Sequence, residues 1–190
     1  MGHIVEEAVP QFSIENSFLG LKINFYSSLA ICNLLAFQYN RPIDSDHLEP
    51  VILTAYQEAQ KLTAVDMVLT QTRMNAVRRE MAPFFDKYDL FLTPTTITPA
   101  VPLDTLNTIQ DISPDEFFFK CGGFCPNTSV FNITGQPAIS LPLAQSKSGL
   151  PIGAHFSARF GREDMLIRLA SAFEEAMPWK DRQPPVYVSS

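Results

Sequence analysis

Clustered positive charge is missing from this sequence. Lysine and arginine number 14 against 20 acidic residues, giving a net charge of −6 without any basic run. A surface that tracks phosphates needs grouped Lys and Arg, so no nucleic-acid partner is expected. Cysteine is also scarce. Cys32, Cys121 and Cys125 cannot all pair within the chain, and they form no disulfide framework. His3, His47 and His155 stand far apart with no ligand-like spacing, so no metal site is expected. No glycine loop of the kind that cradles phosphates occurs, and no organic cofactor is expected either. Internal repeats and low-complexity tracts are absent beyond local proline clusters. The opening Met1-Gly2-His3-Ile4-Val5-Glu6-Glu7 lacks a basic region followed by an apolar core and a cleavage site. With the thin cysteine usage, a reducing cytoplasm is the expected location.

What is present is a folding composition: 46% apolar and 18% charged residues over 190 positions, enough for one domain with a sizeable core. Phe18 to Phe37 is apolar over about the length of a bilayer span. It also carries Lys22, Asn24, Ser27, Ser28 and Asn33, which are costly in hydrocarbon. The stretch therefore reads as a buried helix, from about Ile14 to Phe37, of a protein with no membrane partner. Being apolar on nearly every face, it belongs in a core, and it points to further protein around this chain.

The rest of the chain reads as alternating helices and strands. His3 to Val9 suggests a short strand stopped by Pro10. Ser45-Asp46 can cap a helix from His47 to about Lys61. Thr63-Ala64-Val65-Asp66 is a loose capping box opening a long helix towards Phe85, with Arg73, Arg78, Arg79 and Glu80 on its wet face. Pro83 should bend that helix or end its regular part. Tyr88 to Pro94 reads as a buried strand, and Glu116 to Gly123 fits no single assignment. Strands are expected at Ala138–Leu143 and Ile152–Arg159 around the turn at Gly149-Leu150-Pro151, then a last helix through Leu166, Leu169 and Phe173. Gly135 before Gln136-Pro137 permits a tight turn, after which Ile139 and Leu141 share one face and Ser140 takes the other. This order indicates an α/β layer with a mixed sheet flanked by helices.

Three segments carry a family resemblance: Phe84-Phe85-Asp86-Lys87-Tyr88-Asp89-Leu90-Phe91-Leu92-Thr93-Pro94-Thr95; Phe131-Asn132-Ile133-Thr134-Gly135-Gln136-Pro137-Ala138-Ile139-Ser140-Leu141-Pro142; and Gly149-Leu150-Pro151-Ile152-Gly153 with Phe160-Gly161. In order and spacing they resemble the C-terminal third of amidase-signature enzymes, with the second segment the most specific. Gly2 to Pro10 is similar to the family's strand beyond its catalytic region. The tail from Pro178-Trp179 looks closest to bacterial amidases of the 6-aminohexanoate-cyclic-dimer hydrolase type.

The resemblance implies amide hydrolysis by a Ser–Ser–Lys arrangement. One serine attacks the carbonyl, a second relays the proton, and a lysine of lowered pKa acts as base. All three lie upstream of the matched region, so residues 1–190 are expected to be a C-terminal fragment of a single amidase domain, inactive alone. No substitute nucleophile appears. Ser27-Ser28 sits in an apolar helix, Ser189-Ser190 is the tail, and Gly122-Gly123 adjoins no serine. In tRNA-dependent amidotransferase A subunits, the position seven before the matched Asn132 holds a substrate-reading Asp. Cys125 stands there instead, which points to a less polar small-molecule amide. Cys125, Asn127 and Thr128 are the expected substrate-binding residues, with no catalytic residue in the chain. Two further expectations follow: self-association through exposed apolar surface, and, as the competing function, a free-standing binding module on an amidase-derived scaffold.

Overall fold

The computed structural model describes residues 2–184 and Val186. Ser189 and Ser190 lie outside the described residues. The first helix, α1, runs Ile14–Ser28, its N-terminus closed by the Ser13 side chain, which accepts from Asn16 N. It does not continue to Phe37 as the composition suggests. Ser27 and Ser28 turn their hydroxyls onto the carbonyls of Asn24 and Phe25, and Leu29 N and Ala30 N bond three residues back to Tyr26 and Ser27. That tightening breaks the run, and α2 restarts at Ile31–Tyr39. The expected burial also fails for α2, where Leu34 is 57% and Phe37 is 87% exposed. Nothing among the described residues covers them.

His47 does not begin a helix. Asp44 accepts from Asp46 N and faces His47 at 2.7 Å, forming a local turn. The helix α3 starts at Pro50 and ends at Ala59, because proline fits the first helical turn, where its missing N–H is not needed. The capping box at Thr63 and Asp66 is formed as expected, and α4 runs Ala64–Met81. Pro83 ends it, and a single further turn, α5, covers Phe84–Lys87. Arg78 is not on a wet face: its half-buried guanidinium donates from Nε to Ile133 O at 2.8 Å and from a terminal nitrogen to Asn75 Oδ1 at 2.6 Å.

Strand β1 covers Leu90–Pro94, β2 Ala138–Gln145 and β3 Pro151–Ala158. They form an antiparallel sheet in the order β1-β3-β2, with a register shift between Leu141 and Ala144. His3 to Val9 joins no strand. An extended segment becomes one only when a neighbour takes up its backbone groups, and here the residues from Gly2 to Glu7 are exposed. The unassigned stretch before the second family-like segment is helical: α6 spans Pro114–Phe124, capped by Ser113, and α7 spans Pro126–Thr134. Gly135 ends α7 in the left-handed conformation, at φ 72°, as its place before Gln136-Pro137 implies. The last helix, α8, is Glu163–Ala176.

Two cores flank the sheet. Met74, Val77 and Met81 of α4 meet Val130, Phe131 and Ile133 of α7, with Leu21 of α1 and Phe91 of β1 packed against them. On the other side, Leu141 and Phe156 pack under Leu166 and Leu169 of α8. Tyr26 ties α1 to α6: its hydroxyl donates to Asp115 Oδ1 at 2.6 Å while Lys22 Nζ donates to Oδ2 at 2.6 Å. These two bonds hold the Asp115 carboxyl below its usual range, Lys22 contributing most.

Candidate functional site

Successive side chains alternate sides of the sheet, so one face is apolar and the other combines Phe91, packed on the α4–α7 core, with a polar wall of hydroxyls and His155. Leu92, Ile139, Leu141, Ala154 and Phe156 share the face covered in part by α8. The opposite face carries Thr93 and Thr95, then Gly153, His155 and Ser157, then Ser140. The register places Thr93 and Ser140 on either side of His155 across the three strands.

Cys125, Asn127 and Thr128 sit together at the junction of α6 and α7, beside the end of β1. Asn127 Nδ2 donates to Pro94 O at 3.3 Å, and Ile97 N donates to Phe124 O at 3.1 Å, so the junction is tied to the strand. Thr128 Oγ1 donates to Cys125 O at 3.1 Å, and Cys125 Sγ to Cys121 O at 3.4 Å. All three residues are half-buried, and their bonds fix local geometry. Burial pushes the Cys121 thiol up, with Cys125 adding to the effect, so it is a neutral thiol at pH 7.

Two hydroxyls next to this junction escape a sequence reading. Thr95 Oγ1 and Ser140 Oγ lie 2.6 Å apart, bridging β1 to β2 across the central strand. The bridge passes over Gly153, where a Cβ would stand 2.7 Å from Ser140 Oγ and 3.0 Å from Thr95 Cβ. The alternation at Ile139-Ser140-Leu141 signals that Ser140 faces away from the α8 core. That Thr95 meets it depends on the strand order, which no local pattern displays.

His155 is 5% exposed, stacks on Phe131 with ring centroids 5.3 Å apart, and has Nδ1 3.5 Å from Thr93 Oγ1. Burial lowers its pKa below the ordinary 6.5. The unfolded chain therefore takes up a proton as the pH is lowered below 6.5, while the folded chain resists it, and stability from this residue is lost as pH falls. Urea unfolding at pH 7.5 and pH 5.5 should show that loss, and His155→Phe should remove part of it. An equal loss in the variant would assign the acid sensitivity elsewhere.

An open hollow of about 540 Å³ lies between α2 and the following loop, lined by Leu35, Tyr39, Arg41, Ile43 and His47 among others. It shares no residue with the polar wall. Among the described residues, no three or more His, Cys, Asp or Glu side chains are grouped so as to hold a metal ion.

Residues 9–167 match the Amidase family. This chain belongs to that family. AmiC of Mycobacterium tuberculosis, a protein named as an amidase, is 35% identical over 188 residues, covering 94% of this chain and 37% of the relative. The 6-aminohexanoate-cyclic-dimer hydrolase of Paenarthrobacter ureafaciens is 29% identical over 197 residues, covering 97% and 39%. A solved structure of 6-aminohexanoate cyclic dimer hydrolase superimposes with a TM-score of 0.84 at 27% identity, covering 97% of this chain and 40% of that one. The chain thus has the amidase-signature α/β fold and spans roughly two-fifths of the relatives it matches.

Proposed function

We propose that this chain is the C-terminal portion of a single amidase domain and supplies the wall against which a small amide substrate rests. The observation that carries the reading is the asymmetry of coverage: nearly all of this chain aligns, against about two-fifths of the amidases it resembles. The Ser–Ser–Lys machinery belongs to the upstream part of such a domain. Cys125, Asn127 and Thr128 line the pocket, and the thiol in place of a carboxylate favours a neutral substrate. The likeness to 6-aminohexanoate-cyclic-dimer hydrolase supports uncharged, lactam-like or linear amides.

The protein acts in the cytoplasm and uses no cofactor, metal or nucleic-acid partner in this reading. The run Ile14–Tyr39 has the length and hydropathy of a membrane span. Its break at Leu29 and Ala30, and the bonds of Lys22 and Tyr26 to Asp115, support a place inside a protein instead. The exposed α2 side chains are contacts for the upstream part or for a second copy.

A paired assay tests the reading. The protein at the length its source cells make it should hydrolyse simple amides, and residues 1–190 alone should show less than about 1% of that rate, as expected when nucleophile and base are both missing. Hydrolysis by the isolated chain that survives repurification and disappears with a substitution inside it would overturn the division of labour. A native protein of only this length would turn the question from hydrolysis to binding.

A further inference from the structure

We infer that Thr95 and Ser140 form a hydrogen-bonding subsite for an uncharged amide group of the substrate, and that Gly153 exists in this form to let the two hydroxyls meet. The inference rests on the hydrolase reading above and adds to it the residues that would choose between neutral and charged substrates.

The pair is a built feature. Thr95 N donates to Gly153 O at 3.0 Å, which brings the end of β1 close along the central strand. A side chain at position 153 would fill the space the hydroxyls occupy, since even a Cβ falls 2.7 Å from Ser140 Oγ. Beside them stands Asn127, held by its bond to Pro94 O at 3.3 Å.

Hydrogen-bond capacity is left over. Two hydroxyls carry two O–H donors, and the 2.6 Å contact spends one of them. The other donor remains, together with acceptor lone pairs on both oxygens. Asn127 uses one N–H on Pro94 O and keeps a second N–H and its Oδ1. An amide group asks for one donor and one acceptor, and this cluster offers both.

Charge complementarity is what the cluster lacks. Thr95, Asn127, Thr128, Ser140 and Gly153 carry no charge, and the neighbouring Cys121 is held as a neutral thiol. A carboxylate or ammonium pressed against this wall would be desolvated without a counter-ion. An amide meets no such penalty.

A hydroxyl pair could also act only as a tie between β1 and β2, and the experiment separates the two roles. Binding of N,N′-dimethyladipamide, a neutral diamide, and of adipate, the di-acid of the same length, is measured by calorimetry on the native-length protein. Wild type should prefer the diamide. Ser140→Ala should weaken the diamide by about 5-fold, the size of one lost neutral hydrogen bond, and leave the di-acid within 2-fold. Thr95→Ser, which keeps the hydroxyl, should stay near wild type. Equal weakening of both ligands, no weakening of either, or no preference in wild type would each overturn the subsite. Hydrolysis is followed separately. A diamide bound with the expected pattern but never cleaved would sink the hydrolase reading and leave the subsite standing. Cleavage that is indifferent to Ser140→Ala, with unchanged binding, would do the reverse.

Discussion

Replacing Ile133 by alanine should lower the unfolding free energy by about 3–4 kcal/mol, the range for emptying a large aliphatic side chain from a closed core. Ile133 has no exposed surface, and it joins Met74, Val77, Met81, Phe85, Val130 and Phe131 in one cluster. Its carbonyl receives the Arg78 Nε bond, and its Cδ1 lies within 3.9 Å of where a Cβ on Gly20 would stand. Three helices, α1, α4 and α7, therefore close on this side chain, and they are too well tied to collapse into the space it leaves. Urea titration should show the midpoint fall with the slope unchanged. Ile97→Ala is the control, since Ile97 is 58% exposed and should cost less than about 0.5 kcal/mol. A loss at Ile133 no larger than at Ile97 would mean that the core is not packed as described.

Gly20→Val should destabilise the protein by about 2 kcal/mol for the opposite reason, that there is no room. Gly20 is buried in the middle of α1, and a Cβ there would come within 2.9 Å of Met74 Cγ on α4. Valine is the better helix former by a few tenths of a kcal/mol, so propensity alone predicts a gain. Overpacking outweighs that gain, because the contact lies on the inner part of the Met74 side chain and α4 is anchored on α7. Shortening the neighbour tests the mechanism directly: in the Gly20→Val, Met74→Ala double variant, the penalties should fail to add by about 1 kcal/mol or more. Simple additivity would show that the two helices do not meet at this glycine.

The sequence was readable wherever a structure is determined by neighbours within a few residues. Thr63 with Asp66 caps a helix because the two side chains and the backbone groups they satisfy lie within one turn. Pro83 ends α4 because the missing hydrogen bond and the ring clash are local. Gly135 stops α7 because its backbone alone takes a positive φ without strain. The family-like segments rest on the same short-range features, so they survive in a chain that spans about two-fifths of its relatives' length. Cys125, Asn127 and Thr128 could be placed together for the same reason: they are adjacent along the chain.

Tertiary structure decided the rest. The extended stretch from His3 to Val9 carries strand-forming residues, but a strand also needs a partner edge, which no local residue provides. Arg78 reads as a solvent residue from its charge, yet the carbonyl it serves belongs to Ile133, 55 positions away. Ile14 to Phe37 is apolar enough for one core helix, but the serine hydroxyls break it, and the exposure of α2 depends on what packs there. The polar wall is the clearest instance. Alternation along each strand gives the direction of Thr95 and Ser140, whereas their meeting over Gly153 requires β3 to lie between β1 and β2. Side-chain direction is a property of a few consecutive dihedral angles and can be read from the chain. Which distant groups come within 3 Å of each other is set by the order in which strands and helices pack, and only the folded molecule contains that order.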